Sequence, residues 1–459
     1  MKLTFLPNIL DKNVILLYSL AMNEETLKSK FAFYNPWWRE KRVSTDLSLP
    51  YKRKAFLNIL DYLVLDRVII IKGPRRTGKS TLMYQVINDL IDKKINPERI
   101  IYLNFEDTLL RENLHSLLTL FEKLSIESLE SKETKYIFLD EVHLLPNWAL
   151  VVKALFDKKY NLKFICSGSA ASLIQKSGES LAGRTVEEVI FPFSFKEFVD
   201  FHISLSTTKL EITRKNYFLF KKDLDLYWEL YLRQGGFAHL LNVNKPDLIH
   251  KLVYEDIIQK VIYKDLVDLY NIREPMILEK VFYYLIQTSG QILNESNLSR
   301  TLGLNRETLR NYLAYLRRAF LYIELSKFSR SIKQILGSNP KIHVIDPVLF
   351  TLTPQVNNSF IWESTIAQFL LQKYGNNLYY WRDREEVDFV VQKGKDLLPI
   401  EVKSGQNVVK KDIKGMFKFF KRFNVKEGWV VYGGEDKEEI IGDIKIRHLY
   451  APKLLYFET

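Results

Sequence analysis

The sequence predicts an α/β protein, and three observations carry that prediction. Between Arg67 and about Phe195, short β-rich runs ("RVIIIKG", "RIIYLNFED", "KYIFLDE", "KFICSGS") alternate with helical stretches such as "STLMYQVINDLIDKK". From Phe195 to about Phe320 a helical period takes over, through "FKEFVDFHI" and "DLDLYWELYLRQGGFAHLL". After Pro354 a helix, "IWESTIAQFLLQKYG", is followed by strand runs "LYYWR", "EVDFVVQKG", "LLPIEVKS" and "EGWVVYGG". Alternation of the first kind implies a parallel sheet with covered faces. The middle region reads as helical, with "YIELSKFSRS" and "PKIHVID" as a strand pair at its end, and the tail reads as a second α/β unit.

Bulk properties set the limits. At roughly 100 to 200 residues per domain, 459 residues accommodate two to four domains. Lys plus Arg is 67 against 55 Asp plus Glu, a net charge of +12. That excess suits a polyanionic partner such as nucleic acid, and it equally suits a solvated basic surface. Cys166 is the one cysteine, which excludes an intrachain disulfide and fits a reducing cytoplasm. The longest N-terminal apolar run, Val14 to Met22, is broken by Ser19. It falls far below the roughly 20 residues that a membrane span needs. The expectation is a soluble cytoplasmic protein without a membrane partner.

The first strand leads into Gly73-Pro74-Arg75-Arg76-Thr77-Gly78-Lys79-Ser80-Thr81, which matches G-x-x-x-x-G-K-[ST]. A strand before and a helix after give this phosphate-binding loop its required context. The glycines let the backbone turn tightly and aim N–H groups at phosphates, and the helix N-terminus adds partial positive charge. Lys79 is placed to reach the β- and γ-phosphates of ATP, and the Ser80 hydroxyl to ligate Mg²⁺. "KYIFLDEVH" supplies Asp140 and Glu141 at a strand end. Asp140 is expected to hold Mg²⁺ through water, and Glu141 to orient and deprotonate the attacking water. The next strand ends in Ser167, Gly168 and Ser169, and a hydroxyl there, Ser169 in the assignment, would touch the γ-phosphate or the water. Arg184 in "ESLAGRTVE" is a candidate arginine finger, acting in the same or a neighbouring subunit. Asn104 is a candidate restraint on Glu141, or a turn cap.

"NPWWREKR", "GPRRTGKSTL", "LNFED", "FLDEVHLLPNW", "CSGSA", "LAGR" and "FPFSFKEF" occur in this order. With them the chain resembles the prokaryotic AAA+-superfamily ATPases that carry a C-terminal domain of unknown function with a restriction-endonuclease-like fold. An aromatic-rich N-terminal leader (1–54) and a helical lid (201–275) are read from the residues, and the resemblance implies an AAA+ core (55–200), a winged helix (276–350) and a nuclease-like domain (351–459). A homo-oligomer is the expectation, a ring among its forms, and Arg184 acting in a neighbouring subunit would require one. In "LYLRQGGFAHLL", Ala238 stands where that family has proline.

"NESNLSRTLGLNRETLRNYLAYLRRAF" reads as helix, turn, helix, with Gly303 in the turn and Asn305 as the second helix's cap. Leu309, Tyr312, Leu313 and Leu316 form its apolar side, while Arg306, Arg310, Arg317 and Arg318 point elsewhere. Such a helix suits a DNA groove, with "SKFSRSIKQ" as a basic wing; a protein-docking bundle is the other reading. Near the C-terminus, Glu363 lies on a helix, Asp388 in "EVDFVV", and Glu401 and Lys403 in "PIEVKS", with a hairpin turning at Gly394. Alternation puts Glu401 and Lys403 on one strand face. Asp388 and Glu401 would share a second Mg²⁺ or Mn²⁺, with Glu363 as outer ligand and Lys403 activating water, the Asp…Glu-x-Lys arrangement of restriction-endonuclease-like enzymes. Cleavage and binding without cleavage both remain open. The leading expectation is a Mg²⁺-dependent ATPase coupled to remodelling or processing of DNA, branched DNA included. The alternatives are a slow ATP-dependent switch that binds protein, and an ATP-regulated nuclease.

Overall fold

The computed structural model describes residues 24–111, 113–124, 128–169, 181–205, 211–353 and 356–458. Its contacts divide the chain into two units. The first holds residues up to Lys72 and Lys79–Val189; the second holds loop Gly73–Gly78 and everything from Ile190.

In the first unit, helix α1 (Lys54–Tyr62) precedes strand β1 (Val68–Gly73), and α2 (Lys79–Asp92) follows the loop. Then come β2 (Ile100–Asn104), α3 (Leu114–Leu124), β3 (Lys135–Asp140), α4 (Trp148–Asp157), β4 (Leu162–Ser169) and β5 (Thr185–Val189). The five strands form one sheet in the order β2-β3-β4-β1-β5. The β1–β5, β2–β3 and β3–β4 pairings are parallel. Val68–Ile71 are all buried, as expected of a strand covered on both faces.

The leader expected over 1–54 is not separate from this unit where it is described. Leu27 and Phe31 join the core cluster. Asn35 pairs with the edge of β2: its Nδ2 donates to the Tyr102 carbonyl at 3.0 Å and its Oδ1 accepts the Tyr102 N–H at 2.6 Å. The indoles of Trp37 and Trp38 both donate to the Ile100 carbonyl. These bonds satisfy and cover an edge strand that would otherwise be open to intermolecular pairing.

In the second unit, α5 (Phe195–Leu205), α6 (Lys221–Gln234) and α7 (Pro246–Val253) lead into a 13-residue segment wound as a π-helix, Tyr254–Leu266. Next are α8 (Pro275–Gln287), α9 (Glu295–Leu302), α10 (Arg306–Arg318), β6 (Tyr322–Lys327) and β7 (Lys341–Val344). The C-terminal part contributes α11 (Asn358–Tyr374), β8 (Leu378–Arg382), β9 (Glu386–Lys393), β10 (Asp396–Lys403), α12 (Lys414–Phe423), β11 (Glu427–Tyr432), β12 (Lys437–Ile441), β13 (Ile444–Tyr450) and α13 (Ala451–Phe457). Eight strands make one mixed sheet, β12-β13-β11-β10-β9-β8-β6-β7.

That order corrects one expectation. The β6–β7 pair is antiparallel, as a wing would be. It is not a free wing, because β6 also pairs in parallel with β8 through Ser326–Tyr379 and Lys327–Tyr380. The sheet of the C-terminal part therefore begins before residue 351. No helix among the described residues is long and apolar enough to cross a membrane.

Candidate functional site

The phosphate-binding loop joins the C-terminal end of β1 to the first residue of α2. Gly78 has φ +91°, a left-handed value that side chains resist. A Cβ on Gly73 would stand 2.2 Å from the Ile190 carbonyl oxygen. Arg76 is also left-handed, at φ 64°. The Thr77 hydroxyl donates to the Pro74 carbonyl at 3.0 Å and closes the turn. Lys79 is buried at the start of α2.

Asp140 is fully buried at the end of β3. The Ser80 hydroxyl donates to its Oδ2 at 2.5 Å, and the Tyr102 hydroxyl to the same oxygen at 2.6 Å. The Ser167 hydroxyl donates to Oδ1, as does the Glu141 N–H at 3.1 Å. Burial, and then the Asp140 charge, hold the Tyr102 phenol well above its ordinary range, so it remains a donor. Glu141 has φ 51°, a strained conformation for a non-glycine residue and one that clusters at working sites. His143 Nδ1 lies 3.3 Å from Glu141 Oε2. The Ser80 hydroxyl and the Asp140 carboxylate are close enough to enter one cation's shell together, which fits Mg²⁺.

Other residues fall differently. Asn104 is opposite Asp140 in the β2–β3 register, and its side chain caps a turn by accepting the Glu106 N–H at 2.8 Å. Ser169 ends β4, and its side chain lies outside the described residues. Ser167, one turn of the pleat earlier, is the hydroxyl that meets the acid pair. Arg184 precedes β5 and makes a two-pronged ion pair with Asp157, Nε–Oδ1 2.7 Å and Nη2–Oδ2 3.1 Å. Its carbonyl accepts the N–H of Val68, at the beginning of β1 and so at the end of the sheet opposite the loop.

Within the second unit the loop is clasped by side chains that the sequence did not single out. Arg75 grips Asp265 of the π-helix, Nε–Oδ2 2.6 Å and Nη2–Oδ1 3.2 Å. Arg76 lies 3.4 Å from Asp256, which also meets His239 at 2.9 Å and Lys260 at 2.7 Å. Burial alone would raise the Asp256 carboxyl, but the bonds from His239 and Lys260 and the Arg76 charge hold it well below the usual range. Ala238 donates its N–H to the Arg76 carbonyl at 3.1 Å. The proline of the resembled family has no such N–H to give.

The helix pair is α9 and α10. Gly303 turns between them at φ 66°, and Asn305 Oδ1 accepts the Thr308 N–H at 2.7 Å. Leu309, Tyr312, Leu313 and Leu316 are buried; Arg306, Arg310, Arg317 and Arg318 are exposed. Arg310 pairs with Glu295 at 2.9 Å and Arg317 with Glu324. Arg306 donates to the Ser296 hydroxyl at 3.2 Å.

At the C-terminal cluster the hairpin of β9 and β10 turns at Gly394 and brings Asp388 beside the Glu401–Lys403 strand. Asp388 Oδ2 accepts the Val402 N–H at 2.9 Å, and Lys403 lies 3.0 Å from Glu401 and 3.9 Å from Asp388. Glu363 comes from α11. Two further residues were missed. Lys341 Nζ is 2.6 Å from Glu363, 2.6 Å from Glu386 and 3.3 Å from Asp388. Glu386 was legible, since it shares a strand face with Asp388. Burial opposes the charge on Lys341, but Glu363, Asp388 and Glu386 outweigh it and keep the ammonium protonated. Burial, then the Asp388 charge, push the Glu363 carboxyl up. Burial, then repulsion from the Lys341 charge, keep His343 neutral. A second Mg²⁺ or Mn²⁺ does not fit these residues, because an ammonium already stands among the acids that would bind it.

The parallel sheet, the loop and the acid pair define a P-loop ATPase core of the AAA type, and residues 65–199 match the family described as an AAA domain. Residues 225–358 and 358–451 each match a domain of unknown function (DUF8612 and DUF4143). An uncharacterized protein of Methanocaldococcus jannaschii is 27% identical over 454 residues, 96% of each chain. An uncharacterized protein of Haemophilus influenzae is 27% identical over 75% of this chain and 84% of its own. Among solved structures, the Aeropyrum pernix ORC1 protein in complex with DNA overlays with a TM-score of 0.33 and 12% identity, over 67% of this chain and 95% of its own. AMPPCP-bound DnaA from Aquifex aeolicus gives 0.30 and 15%, over 62% and 92%. Likenesses this distant carry no functional argument.

Proposed function

We propose that the protein is a Mg²⁺-dependent cytoplasmic ATPase whose hydrolysis is coupled to binding and remodelling of DNA, in an oligomer whose subunits complete one another's sites. The observation that carries the reading is the buried Asp140, tied to Ser80 and followed by a strained Glu141 at the end of a parallel strand. Bound Mg²⁺·ATP supplies the phosphoanhydride to be split and a cation that neutralises developing charge. Lys79 and the N–H groups of the loop hold the phosphates. Ser80 and Asp140 fix the cation side, with Tyr102 and Ser167 holding Asp140 in one orientation. Glu141 takes the proton of the attacking water, and His143 steadies its carboxylate. Arg184 is carried to a neighbour's phosphates. The clasp of Arg75 and Arg76 on Asp265 and Asp256 links the loop to the helical part that bears α9 and α10.

Glu141→Gln tests the hydrolytic step. ATP stays bound while turnover falls about 10²- to 10⁴-fold, the span of a lost general base. Unchanged turnover would remove Glu141 from its role. Duplex, single-stranded and four-way DNA added to the ATPase assay test the coupling. Stimulation that fades steeply with salt is expected. The second reading, a slow switch that binds protein, draws on Arg310 and Arg317 being occupied by Glu295 and Glu324. No DNA binding at low salt would favour it.

A further inference from the structure

The C-terminal acid cluster is built around a lysine. Lys341 begins β7, a strand whose four residues are all buried. Its side chain is 1% exposed, and its ammonium faces carboxylate oxygens of Glu363, Glu386 and Asp388. Those acids come from α11 and β9, so a residue outside their own helix and hairpin completes the cluster. The lysine is fixed from both sides. On one, Lys341 pairs with Leu325 of β6; on the other, it bridges Ile292. The neighbouring Ile342 carbonyl accepts the Gly290 N–H at 2.7 Å, and the Leu293 N–H reaches Pro340 at 2.8 Å. The ammonium also stands 5.9 Å from the centre of the Phe389 ring.

A small divalent cation needs several oxygens close around it in nearly ideal geometry. One oxygen each of Glu363, Glu386 and Asp388 is turned toward Nζ. Asp388 Oδ1 faces Lys341, while its Oδ2 accepts the Val402 N–H and faces Lys403. Glu401 is held by Lys403. A metal would have to expel an ammonium whose backbone is bonded into the sheet, or sit against it and suffer like-charge repulsion in a buried site.

We propose that Lys341 is a permanent internal cation that takes the place of a divalent metal in this cluster, closing it to Mg²⁺ and Mn²⁺ and to metal-dependent cleavage of phosphodiesters. The site then serves as a charged pin that joins β7 to α11 and β9. The inference does not depend on the ATPase reading, since it concerns a different part of the chain.

The test is Mn²⁺ binding to the full chain without nucleotide, followed by the electron paramagnetic resonance of the free ion. Wild type and Asp388→Asn are expected to behave alike, because Asp388→Asn leaves the phosphate-loop residues untouched. Lys341→Met removes the charge and retains an apolar stem over Phe389. It is expected to gain one saturable site, with a dissociation constant at least about tenfold below any seen in wild type, and Asp388→Asn added to it abolishes the gain. In thermal unfolding, Mn²⁺ should raise the midpoint of Lys341→Met further than that of wild type, and Asp388→Asn added to Lys341→Met should remove the difference. Wild-type Mn²⁺ binding that Asp388→Asn removes would overturn the proposal. So would a folded Lys341→Met that gains no site. If Lys341→Met does not fold, the comparison of wild type with Asp388→Asn decides by itself.

Discussion

Replacing Arg184 tests where the ATPase site is completed. β5 pairs with β1 from Thr185–Val68 to Val189–Lys72, so Arg184 stands one residue before the start of the shared stretch and the phosphate loop begins after its end. Five strand residues separate them, about 17 Å at roughly 3.3 Å each. That is beyond the reach of an arginine side chain. In the proposed oligomer Arg184 serves a neighbour's site; otherwise it serves only as an ion pair with Asp157. The two roles differ widely in size. A lost arginine finger lowers turnover about 10³-fold or more, whereas an exposed ion pair contributes little. Arg184→Ala is expected to abolish steady-state ATP hydrolysis while leaving the melting temperature nearly unchanged. Mixing gives the sharper result. Arg184→Ala and Lys79→Ala subunits are each inactive, but in a random equimolar assembly about one site in four joins an intact loop to an intact neighbour's arginine, so about a quarter of the activity returns. Two inactive variants that fail to complement, or an Arg184→Ala protein that hydrolyses ATP normally, would refute the reasoning.

Tyr102→Phe removes one donor from Asp140 without changing shape. A bond to a buried charge contributes about 1.5 to 3 kcal/mol, and the low end applies because Ser80, Ser167 and the Glu141 N–H remain. At about 2 to 4 °C per kcal/mol, the melting midpoint of the first unit should fall roughly 3 to 6 °C; an unchanged midpoint in calorimetry would show that the phenol does not hold the acid. Asp256 gives a pH signature. Its folded carboxyl is depressed, so its contribution is fully present above the ordinary Asp range near pH 4 and is lost as pH falls further. Asp256→Asn should flatten that acid limb in pH-dependent denaturant titrations, and an identical limb in both proteins would count against the clasp.

Much of this was legible in the residues. Apolar, β-branched runs such as "RVIIIKG" read as strands covered on both faces, and G-x-x-x-x-G-K-[ST] between strand and helix marks the loop. Asp140, Glu141 and the Asp388–Glu401–Lys403 grouping followed from strand ends and alternation. What escaped depended on long-range pairing. Tyr102 reaches Asp140 only because β2 lies beside β3, and Arg184 is remote from its own loop only because β5 runs parallel to β1. Asp256 and Asp265 meet the loop across nearly 200 positions, and no local pattern marks them. Lys341 left a faint trace, a charge at the start of a short buried strand, but its meaning required the acids brought from elsewhere.

The bond between β6 and β8 has a mechanical consequence. A reader head on a loose tether could tilt to follow curvature in a bound polymer while the body behind it stayed still. In this chain the stem leaving α10 is stitched into the eight-stranded sheet, so torque applied at those two helices passes straight into the sheet instead of being lost in a joint.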